Sequence, residues 1–146
     1  MGERKNYEDM ILYNYIKKRW PNCLQWRKVR LGPIWREEIL YKMLRRWADA
    51  VVYDDKKNEV IIIEADIRPD PGALSKLVMY KSLFKDTPEF EKLKDKPIRL
   101  IYLTTMFDQK VAEMAKTLMI DYEVYVSEVS SEALEHIATL KERYKA

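Results

Sequence analysis

The hydrophobic and polar positions between Ala48 and Asp66 read ADAVVYD, DKKN, EVIIIEAD, two β-rich apolar runs on either side of a polar segment. The runs predict an antiparallel hairpin, with strands over Ala48 to Tyr53 and Glu59 to Asp66 and a loop at Asp55 to Asn58. That loop sets Asp54 opposite Glu59, and the same register carries Asp49 opposite Glu64. Val51, Val52, Ile61, Ile62 and Ile63 are apolar on both faces of the hairpin, as expected of central strands covered on both sides. Alternation then projects Glu64 and Asp66 from one face and Ile63 and Ala65 from the other.

Helical spacing dominates elsewhere. Tyr7, Ile11 and Tyr15 form one row and Leu12, Ile16 and Trp20 its neighbour, which predicts a helix over residues 7–20 that ends before Pro21. LQWRKVRL, Leu24 to Leu31, alternates well enough for a half-exposed strand, with Gln25, Arg27 or Lys28, and Arg30 turned partly outward. A short helix is expected between Ile34 and Arg46, carrying Glu37 and Glu38. Pro69-Asp70-Pro71-Gly72 reads as a turn, followed by a helix from Gly72 or Ala73 to Lys85 on which Lys76 and Tyr80 share a face. Ile98 to Thr104 reads as a buried strand, Gln109 to Met119 as a helix, Tyr122 to Val129 as a strand and Ser131 to Tyr144 as a helix. This alternation predicts an α/β sandwich around a mixed sheet, and 146 residues suit one domain, residues 1–146.

Composition narrows the chemistry. No apolar run spans a bilayer and the N-terminus is charged, so the expected compartment is the cytoplasm, or a host cell's interior for a viral protein. One cysteine, Cys23, and one histidine, His136, exclude an internal disulfide and a zinc cluster. Cys23 reads as a small core residue and His136 as a surface or packing residue. Any metal falls to carboxylates, which suit magnesium or manganese. With Gly2, Gly32 and Gly72 the only glycines, no glycine-rich phosphate loop can be built.

Charge adds a candidate partner. Residues 1–47 hold twelve Lys or Arg against five Asp or Glu, and the remainder fifteen against nineteen, so a segment near +7 precedes one near −4. All four tryptophans, Trp20, Trp26, Trp35 and Trp47, lie in the basic segment. Cations interleaved with aromatics suit a phosphate backbone and unstacked bases, and equally a solvated face over a Trp-containing core.

The order of residues from about 24 to 105 resembles the PD-(D/E)xK nuclease superfamily, in particular the branch with a Q-x-x-x-Y helix motif. Asp49 matches the family aspartate, Glu64 the glutamate two positions before the lysine, and Tyr80 the helix tyrosine. Asp66 stands where the family has its lysine and Lys76 where it has the helix glutamine, as though the lysine had moved to the facing helix; Arg68 is a second candidate. The resemblance implies a restriction-endonuclease-like α/β/α sandwich with a central mixed β-sheet. It implies a DNA nuclease using Mg2+ or Mn2+, with Asp49, Glu64 and Asp66 binding metal, Lys76 serving water and phosphate, and Tyr80 positioning Lys76 or the backbone. Glu37 or Glu38 would add a ligand. The alternative is a catalytically inactive DNA-binding or assembly module on the same fold, in which Asp66 merely pairs with Arg68 or Lys76. Self-association as a homo-oligomer is left open.

Overall fold

A computed structural model describes residues 2–33 and 46–125, with side chains described at 7–33 and 47–125. The helix expected over residues 34–46 with Glu37 and Glu38, the strand beyond Tyr125, the last helix and His136 lie outside the described residues.

The described elements are α1 (Gly2–Arg19), β1 (Leu24–Leu31), β2 (Arg46–Asp54), β3 (Glu59–Ala65), α2 (Pro71–Phe84), a 3₁₀ helix (Pro88–Leu93), β4 (Ile98–Thr104), α3 (Gln109–Thr117) and β5 (Asp121–Val124). The strands form one sheet in chain order. β1, β2 and β3 pair antiparallel, then β3, β4 and β5 pair parallel. The fold is therefore α/β with a mixed sheet, as the alternation of strands and helices predicts.

Alternation along the central strands builds a core on each side. Ile61 and Ile63 meet Ile11, Leu12, Tyr15 and Ile16 of α1. Val60 and Ile62 meet Leu74, Leu77, Tyr80 and Phe84 of α2. Val60 through Ile63 have no exposed surface, which is why the run is apolar at every position. Each such aliphatic side chain contributes about 1.5–3 kcal/mol by leaving water. Trp20 caps the α1 stripe, and its indole N–H donates to Asp54 Oδ2 at 3.3 Å.

Local signals set the element ends. α2 starts at Pro71, one or two residues ahead of the expected position, because Asp70 caps it. Asp70 Oδ1 accepts from the Gly72 amide at 2.9 Å, and proline fits the first turn, where its missing N–H is no loss. α3 stops at Thr117, short of the expected Met119. There the Ile120 amide donates to Ala115 O at 2.8 Å and the Met119 amide to Lys116 O at 3.2 Å, with Met119 at φ 59°. That closure usually uses glycine. With methionine in its place, the sequence gives no stop signal.

Periodicity gives no sign of the 3₁₀ helix. It places Phe90 in a stack on Phe84 with ring centres 4.9 Å apart and edge-on to Trp26 at 5.0 Å. The hairpin loop at Asp55–Asn58 closes as expected, with Asp54 opposite Glu59 and Ala50 opposite Ile63. The paired register ends there, and beyond it Asp49 and Glu64 meet through a bond from the Asp49 amide to the Glu64 side chain. The start of β2, the end of β3 and the N-terminus of α2 therefore converge at one end of the sheet.

Candidate metal centre

Asp49 and Glu64 hold each other through the backbone. The Asp49 amide donates to Glu64 Oε1 at 3.3 Å, and Asp49 Oδ2 accepts from the Ala65 amide at 2.8 Å. Glu64 is 8% exposed. Burial, followed by the charges of Asp49 and Asp66, pushes the Glu64 carboxyl up to about 9. Burial also raises Asp49, against the Ala65 N–H and the charge of Lys28, which favour its ionised form. The common cause is two carboxyls withdrawn from water with too little positive charge beside them.

Asp66 is drawn toward β4. Its Oδ2 accepts from the Tyr102 hydroxyl at 2.6 Å, while the same phenol oxygen accepts from the Asp70 amide at 2.8 Å. Burial raises Asp66 too, with the Tyr102 bond opposing it. Tyr102 is itself pushed strongly upward by burial and by Asp66. One phenol thus ties a candidate ligand to the cap of α2.

Lys76 extends from α2 into solvent, and its charge favours ionised Glu64 and Asp66. Its charge is part of the electrostatic surroundings of the acids. Tyr80 is buried at 3% exposure, and its hydroxyl donates to the Trp47 carbonyl at 2.7 Å. That bond fixes the strand entering Asp49.

Two further residues, Asp9 and Lys28, join the site. Arg27 pairs with Ala50 and Val29 with Ala48, which leaves Lys28 facing Asp49 between them. Lys28 Nζ lies 3.0 Å from Asp9 Oδ1 of α1. Asp9, Lys28 and Asp49 share a cavity of about 450 Å³ between α1 and β1. The place of Lys28 beside Asp49 depends on the β1–β2 register, which the long connection between those strands does not announce in the sequence.

The oxygen-only donor set and the crowding of buried acids fit a hard divalent cation, which would relieve the repulsion that raises Glu64. Asp49, Glu64 and Asp66 do not converge on three oxygens within 4.8 Å of one another. Among the described residues only Cys23, Asp54 and Asp55 do so, at the opposite end of the hairpin. That cluster has a structural explanation. Asp54 Oδ1 accepts from the Lys56 and Lys57 amides at 3.1 and 3.3 Å, shaping the loop, and its other oxygen takes the Trp20 N–H.

No family model and no curated protein matches the sequence. Among solved structures, a repair endonuclease from Pyrococcus abyssi aligns with TM-score 0.52 at 14% identity, over 80% of this chain and 46% of its own. A protein of unknown function, AF1548, aligns with TM-score 0.52 at 13% identity, over 93% of this chain and 66% of its own. A complex of EndoMS with double-stranded DNA reaches TM-score 0.48 at 13% identity, covering 82% of this chain and 44% of that one, too distant to carry weight. The chain thus spans less than half the length of the two endonucleases. At these identities the likeness shows the fold, which this chain shares with a nuclease-like structure. No helix among the described residues is long and apolar enough to cross a membrane.

Proposed function

We propose that the chain is a divalent-metal-dependent DNA nuclease whose metal is magnesium or manganese, held by Asp49 and Glu64 with Asp66 as a third ligand or as the ligand of a second ion. The carrying observation is the Asp49–Glu64 pair, two carboxyls packed together at the end of a buried sheet and destabilised there until a cation joins them. The nuclease-like fold of the Pyrococcus abyssi neighbour supports the same reading. A bound divalent cation would polarise a phosphoryl oxygen and acidify a water.

The protein's own groups prepare that chemistry. Backbone amides of Asp49 and Ala65 hold one oxygen each of Glu64 and Asp49, leaving the remaining oxygens for a ligand. Glu64 would hold a cation as the carboxylate, having released its proton. Lys76, free to swing on an exposed α2 position, meets the charge that develops on phosphate and orients the attacking water. Tyr80 acts at a distance as a positioning residue through the Trp47 carbonyl.

The test is cleavage of labelled single-stranded and duplex DNA with Mn2+ or Mg2+, compared with the Glu64→Gln and Asp49→Asn proteins. Metal-dependent products that vanish in both variants are expected. Full activity in Glu64→Gln contradicts the assignment.

The inactive DNA-binding module remains the second reading, favoured by one observation. Asp66, at the position of the family lysine, is engaged by Tyr102 rather than converging with the other two acids. Binding without cleavage of either substrate under both metals supports it.

A further inference from the structure

The surface beside Asp49 carries an arrangement that metal binding does not use. Lys28 has φ 53°, a left-handed conformation that a side chain with a Cβ adopts only under local constraint. Alternation skips a step there. Trp26 and Val29, three apart, both pack on the α2 side, as do Ala48 and Val51 across from them.

The consecutive residues Arg27 and Lys28 can therefore both turn toward α1. The Arg27 guanidinium lies 5.7 Å from the centre of the Tyr13 ring, and Lys28 reaches Asp9. Beyond Lys28, the Arg30 guanidinium lies 5.1 Å from the Trp47 ring. Two cation–aromatic pairs thus flank the position where Lys28 faces Asp49. Both rings are open to solvent, Tyr13 at 53% and Trp47 at 57%.

An exposed ring beside a guanidinium offers a stacking face for a base and a partner for the adjoining phosphate. A paired duplex keeps its base faces inside its own stack; an unpaired strand presents them. Arg27 and Arg30 are about 10 Å apart at ordinary strand rise, a reach suited to a short stretch of single strand. The Lys28–Asp9 pair is exposed on both sides and therefore weak, so Lys28 can exchange Asp9 for a phosphate.

We propose that an unpaired DNA strand runs across Asp49 along β1, with bases stacked on Tyr13 and Trp47, phosphates held by Arg27 and Arg30, and Lys28 at the phosphate between them. It deepens the nuclease reading and rests on it only for delivery of that central phosphate to Asp49 and Glu64.

The test is fluorescence anisotropy in EDTA, where no cleavage occurs, using a labelled single strand and the blunt duplex of the same sequence. The single strand is expected to bind at least about ten-fold tighter. Tyr13→Ala and Trp47→Ala should each weaken it by about ten-fold, while Tyr13→Phe, which keeps the ring, binds like the unchanged protein. Arg27→Gln and Arg30→Gln should each flatten the salt dependence by about 0.7 in logarithmic slope. Duplex binding as tight as single-strand binding, or alanine variants that bind the single strand normally, overturns the proposal. Ring-dependent single-strand binding without cleavage in any divalent metal instead overturns the nuclease reading and leaves the strand path standing.

Discussion

The Asp49 amide donates to Glu64 Oε1 across the β2–β3 hairpin, joining two residues fifteen positions apart at the end of two strands whose central residues are buried on both faces. With Glu64 raised to about 9 from 4.5, the folded protein keeps a proton that the unfolded chain releases between those values. Folding then takes up a proton in that window, so metal-free stability falls as pH rises through it. Thermal melting in EDTA from pH 5 to 9 should show this decline. Glu64→Gln should flatten it and melt higher than the unchanged protein at pH 8. An unchanged pH dependence in Glu64→Gln would show that Glu64 is not its source.

Divalent metal should reverse the trend. Binding requires the ionised pair, so the rise in melting temperature on adding Mn2+ should grow from pH 6 to pH 8. Asp49→Asn and Glu64→Gln should each abolish most of that rise, whereas Asp55→Asn, in the acidic cluster at the hairpin loop, should keep it. Loss of the rise in Asp55→Asn alone would move the metal to the other end of the hairpin.

Much of this end of the sheet could be read from the sequence because its determinants are local. A four-residue loop and a doubly buried apolar run suffice to set Asp49 against Glu64, and Asp70-Pro71 announces α2. Tyr102 was not legible as a partner of Asp66, because it arrives through the parallel pairing of β3 with β4. Lys28 and Asp9 depend on the β1–β2 register and on how α1 lies over it. The left-handed conformations at Lys28 and Met119 carry no glycine to mark them, so the skipped alternation and the early end of α3 left no trace in composition.

Tyr102→Phe tests the tie between Asp66 and α2. Losing the hydroxyl removes its bonds to Asp66 and to the amide of exposed Asp70 and should cost about 0.5–1.5 kcal/mol of stability. It also removes a bond that favours ionised Asp66. The midpoint of Mn2+-induced stabilisation should therefore shift to higher metal concentration, at fixed pH, if Asp66 is a ligand. A stability loss with an unchanged midpoint would place Asp66 outside the metal's reach.

Lys76→Ala should reduce cleavage by about 10²-fold or more, the scale of a lost group in proton transfer and charge stabilisation, while leaving the Mn2+-induced rise in melting temperature intact. Single-turnover cleavage alongside thermal melting separates the two effects. Undiminished cleavage would assign the cationic role elsewhere, with Lys28 and Arg68 next to be substituted.

Met119 is 88% exposed at φ 59° and closes the end of α3. Met119→Gly removes the Cβ conflict and should raise stability by about 0.5–1 kcal/mol, a gain of about 1–4 °C in melting temperature. A lower melting temperature would mean that the methionine side chain contributes more than its backbone strain removes.

The most direct measurement is the anomalous difference map of a crystal soaked in Mn2+. The expected result is a peak about 2.0–2.2 Å from a carboxylate oxygen of Asp49 and one of Glu64. A map with no peak between those two residues, or with its peak at Asp54 and Asp55, would contradict the assignment of the metal centre.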